Sequence, residues 1–266
     1  SVVIASGNPG PGFLPPDYSP LPIGNASRGI KDLLPDIDRD KLNRRVRLAE
    51  KFSAAFTHYF PHDDVKAYND FYRQTIKFMS GDMAEPFDIQ REPAKLKTQY
   101  GNHPFGQGAL LARRLVERQV RFVEVQLGGW DTHQNNFSRV PERCAILDQA
   151  LSALLDDLSK RGLLEETLIV LATEFGRTPN INVNDGRDHY PKAFSCMLAG
   201  GGIRGGQVWG STDEEGREVI ENKVEIPDFN ATIAYTLGLP LDEIIYSPTR
   251  RPFTLSDKGQ PLTQLI

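Results

Sequence analysis

Cysteine is scarce. The two that occur, Cys144 and Cys196, are too few for a disulfide scaffold and are not spaced as a zinc knuckle or a redox pair. Two buried thiols or a single disulfide both stay open. Long hydrophobic runs are missing as well. No stretch approaches the roughly 20 consecutive apolar residues that cross a bilayer, so no membrane span is expected. Neither sign of charge is in excess: 31 basic residues face 35 acidic ones, for a formal charge of -4. That balance is too even for a polyanion-binding surface, and nucleic acid is not an expected partner. Internal repeats and low-complexity tracts are absent. The opening Ser1-Val-Val-Ile-Ala-Ser lacks the basic start and long apolar stretch of an export signal. It also does not begin with Met, so processing or an upstream segment is expected.

What is present fits a globular chain. With 39% apolar and 25% charged residues in 266, one large domain could bury roughly 70–75% of its unfolded surface. Six prolines and two glycines lie between Asn8 and Pro22. They deny the backbone ladder donors, so residues 1–38 read as an irregular arm over a surface, with 39–266 as the domain proper. Helical spacing appears at about 40–59 (Leu48, Phe52, Phe56) and 65–79 (Tyr68, Phe71, Tyr72, Ile76), a pair broken at Pro61. A polar link over 81–92 leads to an amphipathic helix at about 105–118 carrying Leu110, Leu111 and Leu115. Arg113 and Arg114 on it read as a solvated face. His58, His62 and His103 read as surface or loop residues.

The second half carries the informative pattern. Residues 120–127 alternate as a strand does and stop at Gly128-Gly129. A helix follows, with Leu151, Leu154, Leu155 and Leu158 in one stripe and Gly162 at its end. Residues 167–173 are a continuous apolar run, as in strands covered on both faces. Strand, helix and strand in that order predict a βαβ unit with the two strands as parallel neighbours, hence an α/β fold with a mostly parallel sheet covered by helices on both faces. Further on, 194–199 reads as a strand, 207–210 as a short edge piece and 228–237 as a helix.

Polar sequence clusters after the predicted strand ends, where open parallel sheets bind ligands. The segments are Gly128-Gly-Trp-Asp131-Thr-His133-Gln-Asn135-Asn136, Glu174-Phe-Gly-Arg177-Thr-Pro and Gly186-Arg187-Asp188-His189-Tyr-Pro. Carboxylate with imidazole suits a divalent ion such as zinc, manganese or iron. Two side chains two residues apart in extended chain point the same way, so Asp131 and His133 can share one ion. His189 would supply a third ligand, and Glu174 a fourth or a bridge to a second ion. Asn135, Asn136 and Asp188 would support the ligands from behind. Arg177 and Arg187 carry guanidinium forks that match phosphate or sulfate oxygens, which makes a small anionic ester a plausible substrate.

These motifs in this order, with Ala199-Gly-Gly-Gly-Ile-Arg-Gly-Gly and flanking matches from Gly12-Phe-Leu-Pro-Pro to Arg251-Pro-Phe, closely resemble domain-of-unknown-function family 1501. That family is similar to the alkaline phosphatase superfamily, whose members are mostly phosphatases, sulfatases, phosphodiesterases and phosphomutases using two metal ions. The resemblance implies an alkaline phosphatase-like fold, and it sets Asp131, His133 and His189 at metal-ligand positions. Glu174 takes the place of the Asp in the superfamily's Asp-His pair. Phe175 stands where the His would be, which weakens a second metal site. The resemblance further implies that a Gly-Gly-Pro-Ser strand and the nucleophile lie before this region. A metal-dependent hydrolase would then need an upstream segment or partner protein. A periplasmic or exported location is implied on the same ground. A scaffold that has lost its chemistry and serves in binding or assembly is the alternative.

Overall fold

In the computed structural model, which describes residues 1–4, 10–14, 18–29, 38–60, 62, 65 and 82–266, the β-branched run Val2-Val3-Ile4 forms β1 (Val2–Ile4) and is buried throughout. It is the centre of a three-stranded parallel sheet, between β2 (Leu21–Ile23) and β3 (Val123–Val125). Three branched apolar residues suit the middle of a parallel sheet, where both faces are covered. The segment read as an irregular arm therefore contributes two strands and part of a core. Pro22 is tolerated because β2 is an edge strand, where a missing N–H costs no ladder bond.

Contacts divide the chain into two compact units, Ser1–Leu127 with Gln149–Leu151, and Gly128–Asp148 with Ser152–Ile266. The first holds α1 (Arg39–Tyr59), α2 (Ala94–Tyr100) and α3 (Pro104–Glu117). The expected helix at 65–79 and the break at Pro61 lie outside the described residues, Val65 excepted. The link read as polar instead forms two short 3-10 turns that bury Ala84, Phe87 and Ile89. α3 starts where His103 Nδ1 accepts the N–H of Phe105 at 3.1 Å, with Pro104 as the first helical residue. Its stripe of Leu110, Leu111 and Leu115 is buried, as the spacing predicts. The helix rides very close to the sheet. A β-carbon on Gly108 would lie 2.9 Å from Val125 Cγ1 and 3.1 Å from Ile4 Cγ2. Gly108→Val should lower the free energy of unfolding by roughly 1–3 kcal/mol through overpacking, read as a fall in the urea midpoint.

Arg113 and Arg114 do not solvate a helix face. Arg113 is 1% exposed and Arg114 7%, and both lie against the Glu92 carboxylate, Arg113 at 2.9 Å. Arg113 also reaches Glu117 at 2.6 Å, and Arg114 reaches Glu85 at 2.7 Å. Buried guanidinium groups persist only where carboxylates and carbonyls surround them. Here the acids that do so come from the 3-10 turns and from the next helical turn.

The second unit takes in most of α4 (Asn136–Lys160), together with β4 (Ile169–Leu171), β5 (Gly176–Arg177), β6 (His189–Tyr190) and β7 (Met197–Ala199). β4 pairs antiparallel with β7, where a parallel neighbour was expected, and β3 pairs parallel with β1. Val170 in the middle of β4 is exposed rather than covered. Two further antiparallel ladders join β8 (Ser211–Thr212) to β9 (Val219–Glu221) and β10 (Ile244–Tyr246) to β11 (Pro252–Thr254). The expected edge piece at 207–210 lies outside these strands, and Val208 is almost fully exposed. α5 (Ile226–Thr236) is fixed by Asp228, whose carboxylate accepts the N–H of Glu225 at 3.2 Å and of Gln260 at 2.8 Å. One acid thus caps the helix and ties down the closing segment.

The architecture is mixed α/β, with one small parallel sheet, antiparallel ladders and, among the described residues, five α-helices. None of those helices is long and apolar enough to cross a membrane. Cys144 and Cys196 are separate free thiols and both are exposed, so neither the disulfide nor the buried pair is found.

Candidate metal centre

Two loops of the second unit lie side by side along their backbones. The N–H of Arg187 donates to the carbonyl of Thr132 at 2.9 Å, that of Asn135 to Asn184 at 3.2 Å, and that of Asn136 to Asp185 at 2.8 Å. Between these bonds Gly186 is pressed so close that a β-carbon there would fall 1.9 Å from the carbonyl oxygen of His133. Main chain cannot move aside as a flexible side chain can. Gly186→Ala should separate the loops and destabilise this unit, checked as a fall in the thermal midpoint of the purified variant.

On the first loop, Thr132 is buried and its hydroxyl bonds Asn136 Oδ1 at 2.7 Å, anchoring the turn to the start of α4. Asp131 and His133 flank it and face outward. On the second side, β5 and β6 pair Arg177 with His189, and the Thr178 N–H bonds the Asp188 carbonyl at 2.9 Å. This ladder delivers His189 opposite the first loop.

Three donor atoms then converge. His133 Nε2 and His189 Nε2 each lie 3.1 Å from Asp131 Oδ1, and 3.1 Å from each other. Their side chains are 45%, 51% and 66% exposed, for His133, His189 and Asp131 in turn. Among the described residues these three form the group with metal-ligand geometry. Behind His133, Asp188 Oδ1 meets Nδ1 at 2.8 Å. The His133 and Asn182 hydrogen bonds hold the Asp188 carboxyl below its ordinary value, so it is ionised and accepts only. With Nδ1 donating to Asp188, a neutral His133 ring has its lone pair on Nε2, the nitrogen turned toward Asp131 and His189. Asp131 is drawn down to about 2, chiefly by the Arg177 hydrogen bond at 2.6 Å and then by His189. Two imidazole nitrogens on one carboxylate oxygen make a set that a proton or a metal cation can complete. A carboxylate behind a ligating imidazole is also the usual support in metal sites.

The remaining expected residues divide. Glu174 is exposed and is not among the three converging groups; its neighbour Phe175 lies against His189 instead, ring centres 4.4 Å apart. Arg177 spends its fork on Asp131 and on the Arg187 carbonyl at 3.3 Å. Arg187 grips the carbonyls of Thr178, at 2.7 Å, and Pro179. Both arginines, expected to hold an anion, are fastened inside the site by these bonds. Asn135 takes a left-handed turn before α4 without capping it through its side chain, and Asn136 braces Thr132. Asn182 is the residue that sequence reading passed over. Its setting in Asn-Val-Asn-Asp-Gly signals a turn, and nothing in that signal distinguishes a loop asparagine from one that braces a ligand.

No curated protein and no solved structure matches the chain. One family model does, over residues 2–266, and its description is a protein of unknown function. Since that match spans almost the whole chain, the protein belongs to the DUF1501 family.

Proposed function

We propose that the chain binds one divalent metal ion, zinc being the first candidate, through Asp131, His133 and His189, and that this site serves hydrolysis of small phosphate or sulfate esters in an alkaline phosphatase-like setting. The observation that carries the reading is the triangle of donor atoms, 3.1 Å on each side, with Asp188 behind His133. Donors at this spacing suit a single ion at about 2.0–2.1 Å from each. Two imidazoles and one carboxylate are the ligand set of hydrolytic zinc sites, which keep a fourth position open. The exposure of all three side chains leaves such a position reachable.

The chemistry of a bound ion here would be to acidify a water molecule and to neutralise charge on an ester oxygen. The protein's own groups divide the remaining work. Asp188 fixes the His133 tautomer, Arg177 orients Asp131, and Phe175 walls one side of His189. Phe175 also argues for one ion rather than two, because an aromatic ring cannot ligate a second. In this reading the chain supplies the metal site.

A second reading, a scaffold without turnover, is favoured by one observation: Arg177 and Arg187 already bond internal groups. The test has two parts. Elemental analysis of purified protein should find about one zinc per chain, lost in Asp131→Ala; a metal-free wild type would overturn the proposal. The full-length gene product, loaded with zinc, should then hydrolyse members of a panel of aryl phosphate and sulfate esters. Zinc binding without turnover of any ester would select the scaffold.

A further inference from the structure

Asn182 joins the two ligand loops, and its side-chain amide fills its hydrogen-bonding capacity. Its Oδ1 accepts the N–H groups of Asn184 at 2.9 Å and Gly186 at 3.0 Å, which shapes its own turn. Its Nδ2 donates to the carbonyl of His133 at 3.0 Å and to Asp188 Oδ1 at 3.0 Å. An amide offers two donor hydrogens and an oxygen with two lone pairs. The acceptor half thus serves the local turn, and the donor half reaches the ligand His133 and its supporting carboxylate. The Asp188 oxygen that receives Asn182 also receives His133 Nδ1, at 2.8 Å.

We infer that Asn182 is a positioning residue for metal binding: by holding Asp188 Oδ1 and the His133 carbonyl together, it keeps His133 in the Nδ1–H tautomer and aims Nε2 at the ion. The inference rests on the metal-binding reading of Asp131, His133 and His189. Asp188 is exposed and on a loop, so nothing in its burial restricts its rotamer; the Asn182 donor does. Once Asp188 rotates away, His133 is free to carry its hydrogen on Nε2, which blocks ligation there.

The donor and acceptor halves can be tested apart. Asn182→Asp retains an oxygen for the N–H groups of Asn184 and Gly186 and loses both donors. Asn182→Ser keeps a shorter acceptor with no added charge, and so guards against a purely electrostatic effect. Asn182→Ala loses everything. Zinc affinity, read by competition with a chromophoric chelator, should fall about 10- to 100-fold in the Asp and Ser variants, the range for losing an outer partner. The thermal midpoint of zinc-free Asn182→Ser should fall less than that of Asn182→Ala, which loses the turn contacts as well. Two-bond nitrogen–proton NMR on zinc-free protein, at a pH that keeps imidazole neutral, should show His133 as Nδ1–H in wild type and a shift toward Nε2–H in both replacements. Unchanged zinc affinity or an unchanged His133 tautomer in both variants would overturn the inference. A wild type with His133 as Nδ1–H that takes up no zinc would sink the metal reading alone and leave the hold of Asn182 on His133 standing.

Discussion

His189→Ala is expected to cut zinc affinity by more than the roughly 10–100-fold that loss of an outer partner costs, while Glu174→Ala leaves it unchanged. The contrast follows from placement. His189 Nε2 is one corner of the 3.1 Å triangle, held there by the β5–β6 ladder, and no other described imidazole or carboxylate joins that group. Glu174 lies in the loop that brings Phe175, not its own carboxylate, against His189. Competition titrations on the two variants decide the matter. An equal loss in both would restore Glu174 as a ligand, and no loss in His189→Ala would remove the site.

The second large effect lies in the first unit and concerns stability. Glu92→Ala should lower the free energy of unfolding by about 3–5 kcal/mol, the cost of stripping a buried ion cluster of one partner, read from urea unfolding. Its carboxylate stands between Arg113 and Arg114, all three side chains being less than a tenth exposed. Removing it leaves two guanidinium groups facing one another across the space it occupied. The wild type should also carry an acid-side weakness that the variant lacks. Burial raises the Glu92 carboxyl, but the hydrogen bonds of Arg114 and Arg113 outweigh it and set the group below its ordinary 4.5. A depressed carboxylate contributes stability that is present above its unfolded value and lost as pH falls through the lowered one. The wild-type unfolding free energy should therefore drop on acidification through that window, and Glu92→Ala should show a flatter profile.

Much of the site is legible in the amino-acid sequence because its residues sit in short, dense motifs. Asp131 and His133 are two apart, and Asp188 and His189 adjoin, so local geometry alone restricts where they point. The helices α3, α4 and α5 are legible from the spacing of their leucines and from Pro104, Gly162 and Asp228. Strand order is not, since pairing β1 with β3 joins residues more than a hundred positions apart, and no local pattern encodes that choice. Val2-Val3-Ile4 is too short to stand out beside the prolines that follow it. Arg113 and Arg114 mislead for a related reason: a charged pair on a helix looks solvated until Glu85 and Glu92, over 20 residues earlier, are seen to fold over it. Glu174 enters on residue type and resemblance, and the geometry does not bring it in.

Asp188 and His189 adjoin, and both face one ring. One dipeptide touches His133 at both ring nitrogens, at 2.8 Å through Asp188 and at 3.1 Å through His189. A displacement of this dipeptide is therefore expected to alter both contacts of the His133 ring at once, so that one backbone movement tunes its two nitrogens together.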